Sequence, residues 1–131
     1  VFIDRLKSGD YKFESMDFRE LNTDDWNEKT FVYADPPYLI TCATYNEQDG
    51  WNEDLEKELL SYLDKLNDRK IRFALSNVLR SKGKENTILK DWINRNIGKY
   101  HVIYLDYDYS NSNYQTKDKN SKAEEVLIVN Y

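Results

Sequence analysis

The sequence has few of the residues that build disulfide frameworks or zinc sites. It contains one cysteine, Cys42, and one histidine, His101, in 131 residues. A single cysteine excludes an internal disulfide framework and fits a reducing compartment. His101 has no cysteine or histidine companion at ligand spacing, so no metal site is predicted and a structural role at the start of a strand is the simplest interpretation.

Long apolar runs and excess positive charge are also missing. No stretch has membrane-spanning length and no signal-peptide pattern is present, so a cytoplasmic protein is expected. The formal net charge of -5 argues against a broad basic face for nucleic acid. If DNA or RNA is the substrate, most phosphate contacts must come from elsewhere. The first residue is valine rather than methionine, which predicts a portion of a longer protein.

Proline is scarce, and both prolines stand side by side after the apolar run Phe31 to Ala34. Proline lacks a backbone N–H and pushes the preceding residue into extended conformations, so Pro36 and Pro37 end strand pairing. We call Asp35 to Tyr38 the ledge: free carbonyl oxygens with a carboxylate on one side and an aromatic ring on the other. Such a ledge suits a flat substrate that bears an amine.

Hydrophobic periodicity predicts one α/β domain over residues 1–131. Strands are predicted at 11–16, 31–34 and 71–75, and helices at 52–66 and 88–93, with Gly98 as a stop. Helices between these strands make them parallel, whereas strands 101–107 and 125–131, joined by a polar loop at 108–123, should be antiparallel. The order predicts a three-layer sheet, or the later half of one.

Polar residues follow three of the predicted strands. Asp17, Asp35 and the pair Ser76-Asn77 each fall at a carboxyl end. Ligands of open α/β sheets bind beyond those ends. The sequence therefore predicts a common site there.

Several segments together resemble a known family. They are Phe13 to Phe18, Val32 to Tyr38, Leu75 to Asn77 and Glu124 to Tyr131. In this order they resemble the amino-methyltransferases that use S-adenosylmethionine, and within them the DNA adenine-N6 methyltransferases of the Dam type. The resemblance implies a partial Rossmann-like methyltransferase sheet, S-adenosylmethionine as cofactor and double-stranded DNA as partner.

The resemblance also implies roles for individual residues. Asp35, Pro36, Pro37 and Tyr38 would be catalytic: the Asp35 carboxylate and Pro36 carbonyl accept hydrogen bonds from the adenine amine, and Tyr38 stacks on the extruded base. Asp17, Phe18 and Asp35 would contact the cofactor. A helix N-cap followed by a core phenylalanine explains Asp17-Phe18 equally well.

Two loops contain candidate DNA contacts. Tyr45 and Trp51 lie in the segment after the ledge, although local packing is the favoured interpretation for both. The polar loop before the last strand supplies candidate phosphate contacts, with simple solvation as the alternative: Ser110, Asn111, Asn113, Lys117, Lys119 and Lys122.

The family's glycine turn for the methionine part of the cofactor is not found in this sequence. Its four glycines are isolated, and none follows a predicted strand in the required way. The chain is therefore expected to be the C-terminal catalytic part of an adenine methyltransferase, without the DNA-recognition segment and inactive alone. A partial sheet exposes an edge and apolar surface, so a missing N-terminal half or a self-dimer is an expected partner.

Two other interpretations remain open at this point. The chain could be an inactive remnant that acts as a nucleic-acid or protein interaction module. It could also belong to a methyltransferase for another amine, on cytosine-N4, RNA or protein, since these share the ledge with a different first residue.

Overall fold

The computed structural model describes residues 7, 9–41, 50–105 and 123–131. A short 3-10 helix, Phe18–Glu20, precedes the main elements. In chain order these are β1 Phe31–Ala34, α1 Glu53–Asp68, β2 Arg72–Ser81, β3 Lys84–Glu85, α2 Thr87–Arg95, β4 His101–Tyr104 and β5 Glu124–Val129. None of the described helices is both long and apolar enough to cross a membrane.

The strands form one sheet in the order β1-β2-β5-β4, with β3 paired to the far end of β2. β1 and β2 are parallel, and Ala34 pairs with Leu75 at the end of their ladder. β5 is antiparallel to both β2 and β4. β1, β2 and β4 therefore run in one direction, which confirms the parallel first pair and the antiparallel C-terminal pair.

Both helices pack on the same face of the sheet and contact each other. α1 begins after Asn52, whose side chain accepts a hydrogen bond from the Leu55 N–H, and α2 begins after Asn86, which caps it in the same way. The buried stripe of α1 and the buried residues of α2 meet the strands in one core: Leu59, Leu60, Leu63, Leu66, Phe73, Leu75, Leu89, Trp92, Val126 and Ile128.

The opposite face of the sheet carries apolar side chains that no described helix covers. Strand alternation and the register place Phe31, Tyr33, Ala74, Ile103, Leu127 and Val129 on this outer sheet face. Phe31 is 51% exposed and Tyr33 is 58% exposed. The described residues thus form two layers, and the third layer of the predicted Rossmann-like sandwich stays a prediction.

The strand predicted at residues 11–16 is not formed. All six residues are exposed and lie in irregular structure. Their alternation of aromatic and polar side chains fits a strand, but a strand also requires a hydrogen-bonded neighbour. None of the strands within the described ranges pairs with this segment.

β2 is longer than predicted. β5 pairs along it from Ala74 to Arg80, and a turn at Lys82 and Gly83, with φ of 51° and 77°, returns the chain into β3. Glycine adopts such positive φ without a steric penalty. The prediction that Ser76-Asn77 ends this strand is therefore wrong, because both lie in its middle.

Candidate active site

The ledge projects from the carboxyl end of β1. The ladder with β2 ends at Ala34, so Asp35 is the first residue beyond it. Asp35 is exposed, while Pro36 and Tyr38 are half-buried. A turn follows directly, in which the backbone N–H and the hydroxyl of Thr41 donate to the Tyr38 carbonyl at 2.9 and 3.0 Å. This turn holds the ring-bearing end of the ledge in place.

The ledge presents hydrogen-bond acceptors that no described residue engages. Among the described residues, no hydrogen bond or salt bridge engages the Asp35 carboxylate or the Pro36 carbonyl. Neither proline has an N–H that could compete as a donor. The arrangement can therefore accept two hydrogen bonds from an amine that approaches the strand end.

The structure brings only part of the predicted common site together. Because Ala34 pairs with Leu75, Asp35 and Ser76 are the next residues of two adjacent parallel strands. Ser76 is half-buried on the outer sheet face, and Asn77 is buried on the helix face. The strand register therefore places the ledge next to Ser76-Asn77, although this pair lies in the middle of β2 and does not end it.

Asp17 and Phe18 adopt the arrangement of the structural alternative. Asp17 caps the 3-10 helix and accepts from the backbone N–H, Nε and Nη2 of Arg19 at 2.9, 2.9 and 2.7 Å. These hydrogen bonds, led by those from the guanidinium, lower the pKa of Asp17 to about 2. The centroid of the Phe18 ring lies 6.1 Å from that of Trp51 and 5.5 Å from that of Tyr62, so the three rings pack together. Their contact with the cofactor stays a prediction.

A buried polar cluster beside the ledge was missed in the sequence. The Glu56 side chain is completely buried in α1. Its Oε2 accepts from Trp51 Nε1 at 2.6 Å, and its Oε1 accepts from Asn77 Nδ2 at 2.8 Å and Asn86 Nδ2 at 3.3 Å. We call these four residues the Glu56 cluster. The available signal was the position of Glu56 on the apolar stripe of an amphipathic helix.

The cluster also shows how Trp51 packs. Its ring is half-buried against the core, and its N–H is bound by Glu56. The packing interpretation of Trp51 is therefore confirmed. The other candidate contact in that loop, Tyr45, lies outside the described residues.

The structure describes His101 but not the candidate phosphate contacts. The candidate phosphate contacts all lie outside the described residues: Ser110, Asn111, Asn113, Lys117, Lys119 and Lys122. His101 is the first residue of β4, as predicted. No group of three or more histidine, cysteine, aspartate or glutamate side chains within the described ranges is arranged to hold a metal.

Fold and site together define a mixed α/β protein with a proline-stiffened ledge of hydrogen-bond acceptors at the carboxyl end of a parallel strand. The family can be named more closely. The chain belongs to the D12 class of N6 adenine-specific DNA methyltransferases, whose family model matches residues 2–111. This confirms the family indicated by the sequence motifs.

Curated relatives agree with this family. The chain is 44% identical to the modification methylase StsI of Streptococcus sanguinis over 99% of its length. It is 39% identical to the type II methyltransferase M.FokI of Planomicrobium okeanokoites over 100% of its length. The modification methylase LlaI of Lactococcus lactis subsp. lactis is 36% identical over 78% of the chain. The chain spans only 20% of the first two relatives and 18% of the third.

Proposed function

We propose that this chain provides the target-adenine half of the active site of a DNA methyltransferase that modifies the N6 amine. The observation that carries the proposal is the ledge, with the exposed Asp35 carboxylate at the end of β1 and no described hydrogen bond to it or to the Pro36 carbonyl. Family membership and the names of the relatives support it.

The ledge would act by orienting the amine. The lone pair of an exocyclic adenine amine is delocalised into the ring, which makes it a poor nucleophile. When the Asp35 carboxylate and the Pro36 carbonyl accept its two N–H groups, a pyramidal nitrogen with an available lone pair is favoured. Catalysis by such a site comes mainly from positioning and from preorganised acceptors.

Tyr38 would bind the face of the base. Enzymes that modify a base extrude it from the duplex, and an aromatic ring beside the acceptors gives the extruded base a stacking surface. After transfer the cationic amine is strongly acidic and loses a proton readily. Asp35 is therefore proposed as an orienting acceptor, and no strong general base is required.

The methyl donor in this proposal is S-adenosylmethionine, which supplies an electrophilic methyl group when bound. Asp17, Phe18 and Asp35 are the residues of this chain proposed to approach it. The Asp17 carboxylate already accepts three hydrogen bonds from Arg19, so little acceptor capacity remains on it. We therefore propose that most of the donor site lies outside this chain.

Substitution of Asp35 tests the proposal. In a methyltransferase that includes this chain, Asp35→Asn turns one acceptor oxygen into an N–H donor and should reduce methyl transfer to DNA by about 10²–10³-fold. Asp25→Asn, in an exposed turn, removes the same charge and should leave transfer unchanged. Tritium transfer from labelled S-adenosylmethionine measures both, and full activity of the Asp35→Asn protein would refute the role of the ledge.

The isolated chain gives a second test. We expect no measurable binding of S-adenosylmethionine by calorimetry and no methyl transfer to DNA by the chain alone. Tight binding would show that the donor site is complete within these residues. Transfer to a cytosine-containing or RNA substrate in preference to adenine in DNA would instead favour another amine as the target.

The exposed outer sheet face is evidence for a further domain or subunit that packs on it. It leaves Phe31 and Tyr33 more than half exposed, and the relatives are about five times as long as this chain. We propose that the cofactor-binding half covers this face in the complete protein, and that a self-dimer forms in its absence. A monomeric chain at high concentration that binds no apolar dye would contradict this proposal.

The exposed face also favours one alternative, an interaction module that has lost the chemistry. Substitution of Asp35 in the ledge distinguishes the two functions. A module would keep its partner binding and its biological role when Asp35 is replaced by alanine, whereas a methyltransferase half would lose methyl transfer.

A further inference from the structure

The Glu56 carboxylate is buried, and no cation among the described residues pairs with it. Its side chain has no exposed surface, and within the described parts of the chain no salt bridge reaches it. Burial of a charge is costly unless hydrogen bonds satisfy it. Three neutral N–H donors, from Trp51, Asn77 and Asn86, provide that satisfaction.

The orientation of both asparagine amides is fixed independently of Glu56. Asn77 Oδ1 accepts from the Val78 N–H at 2.8 Å, and Asn86 Oδ1 accepts from the Leu89 N–H at 3.0 Å at the start of α2. Each amide must therefore direct its NH₂ group at Glu56, and the indole N–H can only donate. Both oxygens of Glu56 face donors, so this position requires an acceptor on each side.

The cluster joins two segments that flank the ledge. Asn77 lies on β2, two residues beyond the Leu75 that pairs with the last residue of β1. Trp51 lies at the other end of the connection that starts at the ledge, immediately before the N-cap of α1. One carboxylate therefore fixes the strand beside the ledge and the point where the connection returns to the core.

We infer that Glu56 is a positioning residue for methyl transfer, which holds Trp51 and the β2 strand beside the ledge in the arrangement that the reaction requires. This inference rests on the proposed function of the ledge. Glu56 does not contact the substrate in this account. It acts through Trp51 and Asn77, and the Phe18 ring packed on Trp51 is held by the same contact.

The Glu56→Gln variant tests the inference because an amide has one acceptor oxygen, and when that oxygen keeps the two asparagine donors the NH₂ group faces the Trp51 N–H. In the chain, nuclear magnetic resonance of the indole N–H groups should show the Trp51 proton shifted upfield, with faster exchange. In a methyltransferase that includes the chain, kcat should fall by about 10²-fold with KM nearly unchanged. Glu53→Gln, at an exposed position of the same helix, should change neither.

A compensating change distinguishes positioning from general destabilisation. In Glu56→Gln combined with Asn77→Asp, residue 77 keeps an acceptor for the Val78 N–H and offers another to the new amide. The double variant should recover at least tenfold of the lost kcat. If Glu56→Gln does not fold, Trp51→Phe keeps a smaller aromatic ring against Phe18, removes the indole donor and should lower kcat in the same way.

The outcomes separate this inference from the proposed function. An unshifted Trp51 indole resonance in Glu56→Gln, or an altered resonance with unchanged kcat, would overturn the positioning role while the ledge remains active. Absence of transfer by the wild-type protein would refute the proposed function and the positioning role with it. The indole measurement would then still report whether the Glu56 cluster forms.

Discussion

At the scale of single residues, Asn130 extends the sheet past the end of β5. Its Oδ1 accepts from the Phe73 backbone N–H at 2.7 Å, and its Nδ2 donates to the Ile71 carbonyl at 2.9 Å and to Asn67 Oδ1 at 3.0 Å. A side chain thus continues the ladder where backbone pairing has ended. It also ties the end of α1 to the sheet through Asn67.

Truncation of Asn130 should therefore be costly. Asn130→Ala leaves the N–H of the fully buried Phe73 without a partner, so the free energy of unfolding should fall by about 1–3 kcal/mol. Urea denaturation measures this change. Asn94→Ala, at an exposed position of α2, is the matched control and should change stability by less than about 0.5 kcal/mol.

Asp17 predicts a pH dependence at the acid end. Its folded-state pKa of about 2 lies below its ordinary value of 3.8 because Arg19 donates to the ionised carboxylate. The stability that this ion pair contributes is present above pH 3.8 and is lost as the pH falls towards 2. Because the Arg19 and Asp17 side chains are 50% and 35% exposed, solvent screens the pair and the effect on total stability should be small.

The carboxyl titration itself is the sharper measurement. In Arg19→Gln, the pKa of Asp17 should rise towards its ordinary value, as followed by the carbon resonance of its carboxyl group. Arg95→Gln, at the end of α2, removes a distant guanidinium and should leave that pKa unchanged. An unaltered Asp17 pKa in Arg19→Gln would show that the pairing does not form in solution.

At the scale of elements, α1 depends on its first turn. Asn52 accepts the Leu55 N–H, and three acidic residues, Glu53, Asp54 and Glu56, occupy the positive end of the helix dipole. Replacement of an asparagine N-cap by alanine typically costs about 1 kcal/mol. Asn52→Ala should lower the free energy of unfolding by that amount in denaturant titrations.

The Asn52→Ala variant also tests how the contact between Trp51 and Glu56 is maintained. α1 starts two residues after Trp51, so fraying of its first turn should also loosen the indole contact with Glu56. The Trp51 indole resonance should broaden in Asn52→Ala. A destabilised protein with a sharp, unshifted indole resonance would show that the Glu56 cluster orders Trp51 without help from the cap.

Local patterns predicted β1, the two helices and the antiparallel C-terminal pair because each has a clear period and a clear stop. The two prolines end β1 and Asn52 caps the start of α1, so local residue types determine these boundaries. The predictions that were wrong depend on which segments pair as neighbouring strands. The alternation at residues 11–16 does not reveal whether a neighbouring strand exists, and the length of β2 depends on pairing with β5, which lies far along the sequence.

The same limit applies to the candidate site. The ledge was predictable because two adjacent prolines have strong local effects on the backbone. The donors around Glu56 come from three separate segments, and only the tertiary structure brings Trp51, Asn77 and Asn86 to one carboxylate. Sequence alone marks Glu56 as a charge on an apolar stripe without naming its partners.

At the scale of the whole molecule, Tyr100 connects α1, α2 and the start of β4. Its hydroxyl donates to Asp64 Oδ1 at 2.7 Å, and the same oxygen accepts from Trp92 Nε1 at 3.0 Å. Burial, together with the hydrogen bond to the Asp64 carboxylate, raises the pKa of Tyr100 well above its ordinary value of 10.0. The neutral phenol is therefore the form that the folded protein requires.

This requirement predicts alkaline sensitivity. Below pH 10.0 the phenol is neutral in both the folded and unfolded states, so its contribution to stability is complete. Above that pH the unfolded chain loses a proton that the folded protein retains, so stability falls as the pH rises. The fall measured by denaturation between pH 9 and 11 should be shallower in Tyr100→Phe, and an equal slope would contradict this assignment.

The position of β5 has a consequence for the order in which the protein forms. This strand is translated last of the five, yet it lies between β2 and β4 and pairs with both. While the ribosome is still synthesising residues 105–123, β4 has no neighbour among the described strands and β2 lacks β5. Cooperative closure of the sheet must therefore wait for residues 124–129, and nascent chains that stop short of them should remain sensitive to protease.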